Sequence, residues 1–124
     1  MPNYLDPFGD GLPGPYVTLT VRWNGQTENL LALVDTGADV VQIPAAPVKN
    51  LALNQTDTMW VLNPQGEWRE RPVYVADLEF EGLAFPAAEV ISDEYAIALI
   101  GRVALNELIA TLNGPAQTFD LHRP

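Results

Sequence analysis

A single carboxylate, Asp35, follows the apolar run Leu30-Leu31-Ala32-Leu33-Val34 and opens the segment Thr36-Gly37-Ala38-Asp39. A strand that apolar is expected to be covered on both faces, which would carry its acid into the interior. An ionised group there is costly unless it shares a proton or is hydrogen-bonded. The chemistry open to such an acid is proton transfer. The rest of the chain suggests a second copy of itself as the source of a partner.

Other chemistries find little support. There is no cysteine, which excludes a thiolate nucleophile, thiolate metal sites and disulfides. His122 is the only histidine and has no evident serine or acid partner, so a surface or strand role is expected. Asp6, Asp10 and Gly11 resemble a calcium loop only superficially, because the distal glutamate that closes such loops is missing. Turn chemistry is the better reading, and no metal or cofactor is expected. Neither a nucleophile elbow nor a phosphate-binding loop is present.

Charge narrows the partners. Sixteen acidic residues against six basic ones give a formal charge of −10, which disfavours nucleic acid and anionic membranes. The N-terminus has neither a basic leader nor an apolar core, and no run approaches a membrane span. The expectation is a soluble, cytoplasmic protein. A length of 124 residues suits one domain with one core.

The elements that must position Asp35 read as β-structure. Residues 1–15, rich in Pro and Gly, form an irregular arm, and residues 16–124 form the domain. Val17, Leu19 and Val21 alternate with polar residues, and Asn24-Gly25 closes a hairpin onto the strand that ends at Asp35. Val40 to Ile43 suggests a short strand ended by Pro44, with a brief helix or turn over 47–53. Two segments, 56–62 and 68–80, are joined by Asn63-Pro64-Gln65-Gly66 as a second hairpin. On it, Met59, Trp60 and Trp68 are expected to pack in the core or across strands. Residues 83–91 continue as a strand in which Pro86 favours an edge or a break. The acid-rich stretch from Asp77 to Glu94 reads as a solvated face. Leu105, Leu108, Ile109 and Leu112 fit the spacing of a helix that Asn113-Gly114-Pro115 stops, and 117–121 returns to strand.

Leu33-Val34-Asp35-Thr36-Gly37-Ala38-Asp39 resembles the active-site loop of the retropepsin-like, or retroviral-type, aspartic proteases. Leu99-Ile100-Gly101-Arg102 is similar to the second half of that pattern. The order of hairpin, flap hairpin, second motif, helix and terminal strand extends the resemblance over residues 15–122. It implies an all-β fold: a closed barrel with a flap hairpin and one C-terminal α-helix. It also implies a homodimeric aspartic endopeptidase, since one chain carries one Asp loop. The alternative is a silent dimerisation or peptide-binding module on the same fold.

The resemblance assigns roles residue by residue. Asp35 would be catalytic. Thr36 would brace the two loops across the dimer, Gly37 would let a substrate backbone approach, and Ala38 would be small for lack of space. Asp39 would meet the substrate backbone and pair bidentately with Arg102, which tends the loop beside Gly101. Leu33, Ile97 and Leu99 would line substrate pockets, implying a polypeptide with apolar residues near the cut. Two departures stand out: the Asn63-Pro64-Gln65-Gly66 tip is less glycine-rich and apolar than viral flaps, and Gly14 replaces an arginine that pairs across viral dimers.

Overall fold

Alternating burial makes the first strand. In β1 (Tyr16–Trp23), Val17, Leu19 and Val21 are buried while Thr18 and Arg22 face solvent. Asn24 and Gly25 take positive φ angles of 52° and 72°, the backbone that a two-residue hairpin needs. The chain returns as β2 (Gln26–Val34) in register from Trp23↔Gln26 to Tyr16↔Leu33. The structure, a computed structural model, describes residues 1–63 and 65–124. Pro64, part of the expected flap turn, lies outside the described residues.

After β2 come β3 (Gln42–Ile43), the short helix α1 (Ala45–Asn50), β4 (Gln55–Leu62), β5 (Trp68–Phe80) and β6 (Leu83–Ser92). They are followed by β7 (Ala98–Ile100), α2 (Arg102–Leu105), β8 (Ile109–Asn113) and β9 (Thr118–His122). The strands run in the order β1-β2-β7-β3-β6-β5, and β1 pairs again with β5 through Thr20–Arg22 and Asp77–Glu79. These pairings close a six-stranded barrel, which removes the open edges a flat sheet would leave. Its interior holds Leu19, Val21, Ile43, Phe80, Val90 and Ile100, all nearly inaccessible to solvent.

β5 is too long for the barrel wall. Its second half pairs with β1 and β6, whereas its first half leaves the wall and pairs with β4 from Leu62↔Trp68 onward. The expected hairpin over 56–80 is therefore present as a projecting ribbon. Its aromatic residues do not pack as expected: Trp60 and Trp68 are 62% and 64% exposed. The physical reason is that, among the described residues, β4 pairs with β5 alone at the end of the sheet order.

Pro86 sits where β5 and β6 slip register between Ala76↔Ala88 and Leu78↔Phe85. The bulge tolerates a residue without an N–H, and the adjacent Ala87 N–H instead donates to Asp77 Oδ1 at 2.8 Å.

The helix expected through Leu105–Leu112 is corrected. Only Arg102–Leu105 is helical, and Ile109–Asn113 forms a strand paired with β9 from Ile109↔His122 to Asn113↔Thr118. Leu105 and Leu108 serve the helical turn and the bend after it, while Ile109 and Leu112 lie on the strand. The apparent helical spacing thus joins two different elements. Asn113-Gly114-Pro115 is the tip of a hairpin rather than a helix stop: Asn113 Oδ1 accepts the Ala116 N–H, and Gln117 takes a φ of 54°. Pairing with β9 satisfies the backbone that a helix would have satisfied locally, and β-branched Ile109 and Thr111 favour it.

The N-terminal arm is docked on this hairpin. Asn3 bridges Thr118, the Phe119 N–H donates to Pro2, and Tyr4 packs on the buried Phe119 ring at 6.2 Å. Among the described residues no helix is long and apolar enough to cross a membrane.

Candidate active site

β2 and β7 run parallel, with Leu33 opposite Leu99 and Val34 opposite Ile100. The period of two buries Ala32, Val34, Ala98 and Ile100 and leaves Leu33 and Leu99 half-buried on the other face. Ile97, just before β7, is also half-buried. The three side chains assigned to substrate pockets thus lie on or beside the two strands that end at the acid.

Asp35 leaves the end of β2 with its N–H donating to the Ile100 carbonyl at 2.9 Å. The chain then turns tightly, Ala38 N–H to Asp35 carbonyl at 3.2 Å, and the Gly37 N–H donates to Asp35 Oδ1 at 2.9 Å. That last bond fixes the carboxylate against its own loop. The acid is half-buried rather than enclosed, because β2 ends there and the loop turns outward. This corrects the expectation of an interior carboxylate: within one chain, its remaining face is open.

The loop is held from beneath by Gly101. A methyl group placed there would lie 2.3 Å from the Val40 carbonyl oxygen, 2.6 Å from that of Ala38 and 2.8 Å from the Val40 nitrogen. All three are backbone atoms, so only glycine permits β7 to pass this closely under residues 38–40. From that crossing, the Arg102 and Val103 N–H groups donate to the Ala38 and Asp39 carbonyls at 2.8 and 2.9 Å. The first turn of α2 is thereby tied to the acid's loop, and Ala38 is buried where space is short.

Arg102 and Asp39 do meet, though not bidentately. One guanidinium nitrogen, Nη2, donates to Asp39 Oδ1, and Nη1 donates to the Thr36 carbonyl at 2.8 Å. The guanidinium clasps the loop at both ends. Its side chain is 45% exposed and that of Asp39 70%, so the pair lies at the surface. The Thr36 carbonyl as second acceptor has no sequence signal, since any residue would offer one.

Thr36 and Gly37 are exposed beside Asp35, and among the described residues the only atom within 4 Å of a methyl at Gly37 would be Asp35 Oδ1, at 3.2 Å. Nothing else among the described residues requires a glycine there for space. The opening above it is free for a substrate backbone or a second loop.

A polar cluster beyond β7 went unnoticed in the sequence. Gln42 lies opposite Leu99 on β3, and Arg71 of the projecting ribbon pairs with Asp93 at 3.2 Å, with side chains 20% and 17% exposed. Asp93 is therefore not on a solvated face. Elsewhere in that acidic stretch Glu79 does stay at the surface, paired with Arg22 at 2.7 Å. His122 is exposed on β9, 2.7 Å from Asp120.

Compared with known proteins, the chain matches no family model and no curated protein.

Proposed function

We propose that this chain is one half of a homodimeric aspartic endopeptidase, with the active site formed where two Asp35 loops meet. The observation that carries the reading is the Asp35 carboxylate, fixed by the Gly37 N–H on a loop that the Gly101 crossing and the Arg102 clasp hold in place. Its half-buried side chain would face an identical carboxylate from a second chain.

Two such acids at about 3 Å cannot both ionise, so they share one proton. The ionised Asp35 takes a proton from a water between them while the protonated one donates to the scissile carbonyl oxygen. The attacking hydroxide equivalent then forms the tetrahedral intermediate. Return of the proton to the amide nitrogen releases the new amine. Thr36 would brace the facing loops, Gly37 and Asp39 would meet the substrate backbone, and Leu33, Ile97 and Leu99 favour apolar side chains at the cut.

The chain has a surface suited to pairing. All five residues of β8 are exposed, Ile109 and Leu112 are 46% and 48% exposed, and among the described residues β8 is hydrogen-bonded to β9 alone. An unpaired strand edge with apolar side chains favours a second chain.

Dilution tests the shared site. Cleavage of an unfolded polypeptide per chain is expected to fall as the protein is diluted, in step with the loss of dimer in sedimentation. A monomer retaining full specific activity would refute it. Arg102 is a positioning residue: Arg102→Met should lower kcat about ten-fold with little change in KM, and stability by about 1 kcal/mol or less given its exposure. Arg102→Lys, which keeps the charge, should restore part of the rate. An unchanged kcat in the methionine variant would show that the clasp is not needed.

A further inference from the structure

Residues of β6 and α2 line an open cavity of about 430 Å³, a size within the range of small-molecule sites. Its floor is apolar: Val41, Phe85 and Ala104 are buried, while Val103 remains 52% exposed. The cavity lies apart from the acid, since no residue from Asp35 to Asp39 lines it.

Three charged side chains, Glu89, Glu107 and Arg123, line the same space. Arg123 is already engaged. Its Nη2 donates to the Ala84 carbonyl at 2.8 Å, its guanidinium lies 4.9 Å from the centroid of the Phe85 ring, and its Nη1 stands 3.9 Å from Glu107 Oε1. The chain's own cation thus shows what this wall accepts: a positive group on an aromatic face beside a carbonyl oxygen. Glu89 forms no ion pair among the described residues. Two carboxylates against one committed cation leave the lining with surplus negative charge. Taken as a sphere, the cavity is about 9 Å across, close to one Debye length at physiological salt, so a charge inside it feels both carboxylates.

From this we infer that the cavity binds a small apolar amine, its hydrocarbon body on the apolar floor and its ammonium drawn by Glu89 and Glu107. Burial of the hydrocarbon supplies most of the affinity, and charge supplies the selection. An uncharged analogue keeps the first term and loses the second. A carboxylate meets the surplus negative charge, and Arg123 offers it little because that guanidinium is held by the Ala84 carbonyl and the Phe85 ring. The site also touches the element that steadies the acid's loop: Val103 lines the cavity, and its N–H donates to the Asp39 carbonyl at 2.9 Å. Binding here requires neither a dimer nor catalysis by Asp35.

Nuclear magnetic resonance of the full chain, titrated with phenylbutylamine, phenylbutanol and phenylbutanoate, provides the test. The amine is expected to shift the backbone amides of Ala88, Val103 and Ala104 saturably. It should bind about ten-fold tighter than the alcohol, at about three-fold for each exposed carboxylate, and the carboxylate probe should bind weakest. Glu89→Gln combined with Glu107→Gln should bring amine and alcohol to equal affinity; both positions are exposed, so the fold is expected to persist. Equal binding of amine and alcohol by the wild-type chain overturns the inference. So does a preference for the amine that survives the double substitution, which would trace it to the overall charge of −10 rather than to this cavity. Tightest binding by phenylbutanoate, or shifts that fail to saturate or fall outside β6 and α2, would overturn it as well.

Discussion

Asp35→Asn is expected to reduce peptide-bond hydrolysis about 10³-fold or more while leaving the fold in place, because general acid/base transfer at this position has no substitute in the chain. Asparagine keeps the shape of the side chain, and its Oδ1 can still accept the Gly37 N–H that now donates at 2.9 Å. What it loses is the ability to hold or release a proton. A homodimer would lose it twice, since both members of the pair are Asp35. Mixing makes the point sharper. If variant and wild-type chains exchange freely in equal amounts, only dimers of two wild-type chains keep the ionisable pair. Activity should then be about one quarter of that of the same total of wild-type chains, rather than about one half as for independent sites. Circular dichroism and sedimentation unchanged from wild type would confirm that chemistry alone was removed. Hydrolysis that survives the substitution would sink the mechanism.

Gly101→Ala should unfold or severely loosen the domain, by about 3 kcal/mol or more, visible as a fall of about 10 °C in Tm. The added methyl would stand 2.3 Å from the Val40 carbonyl oxygen and 2.6 Å from that of Ala38, well inside contact distance. A flexible side chain could turn away, but these are backbone atoms. Two responses are open to the protein: residues 38–40 rise, which breaks the Arg102 and Val103 N–H bonds to the Ala38 and Asp39 carbonyls, or β7 sinks into the Ile100 core. Either response displaces Asp35, whose N–H is held by the Ile100 carbonyl. Denaturant unfolding and Tm measure the effect directly. A variant with wild-type stability would show that the crossing is less tight than the geometry requires.

Most of the strands were legible because their signals are local. Val17, Leu19 and Val21 alternate with polar residues, Asn24-Gly25 dictates a two-residue turn, and β2 becomes apolar toward Asp35. The structure bears out the all-β class and the closed barrel. The region after Gly101 was misread where local signals conflict. Leu105 to Leu112 has helical spacing, yet the stretch from Ile109 gains more by pairing with β9. The aromatics of the projecting ribbon differ in the other direction. Trp60 and Trp68 have every local reason to pack, but the ribbon that carries them projects from the barrel into solvent.

At the candidate site, the residues singled out Asp35 as a carboxylate ending an apolar strand and Arg102 as a cation among apolar neighbours in need of a partner, while Asp39 as that partner came from the family resemblance. Tertiary structure decided what sequence spacing cannot carry. It opened Asp35 to solvent on one face, sent one arm of Arg102 to the Thr36 carbonyl, and set Gln42 beside Leu99 with Arg71 and Asp93 around one cavity. Gln42, Arg71 and Asp93 lie far apart along the chain and become neighbours only when β3, β5 and β6 take their places in the barrel wall. Such proximity depends on strand order and register, which are set by the closure of the whole sheet rather than by any local run of residues.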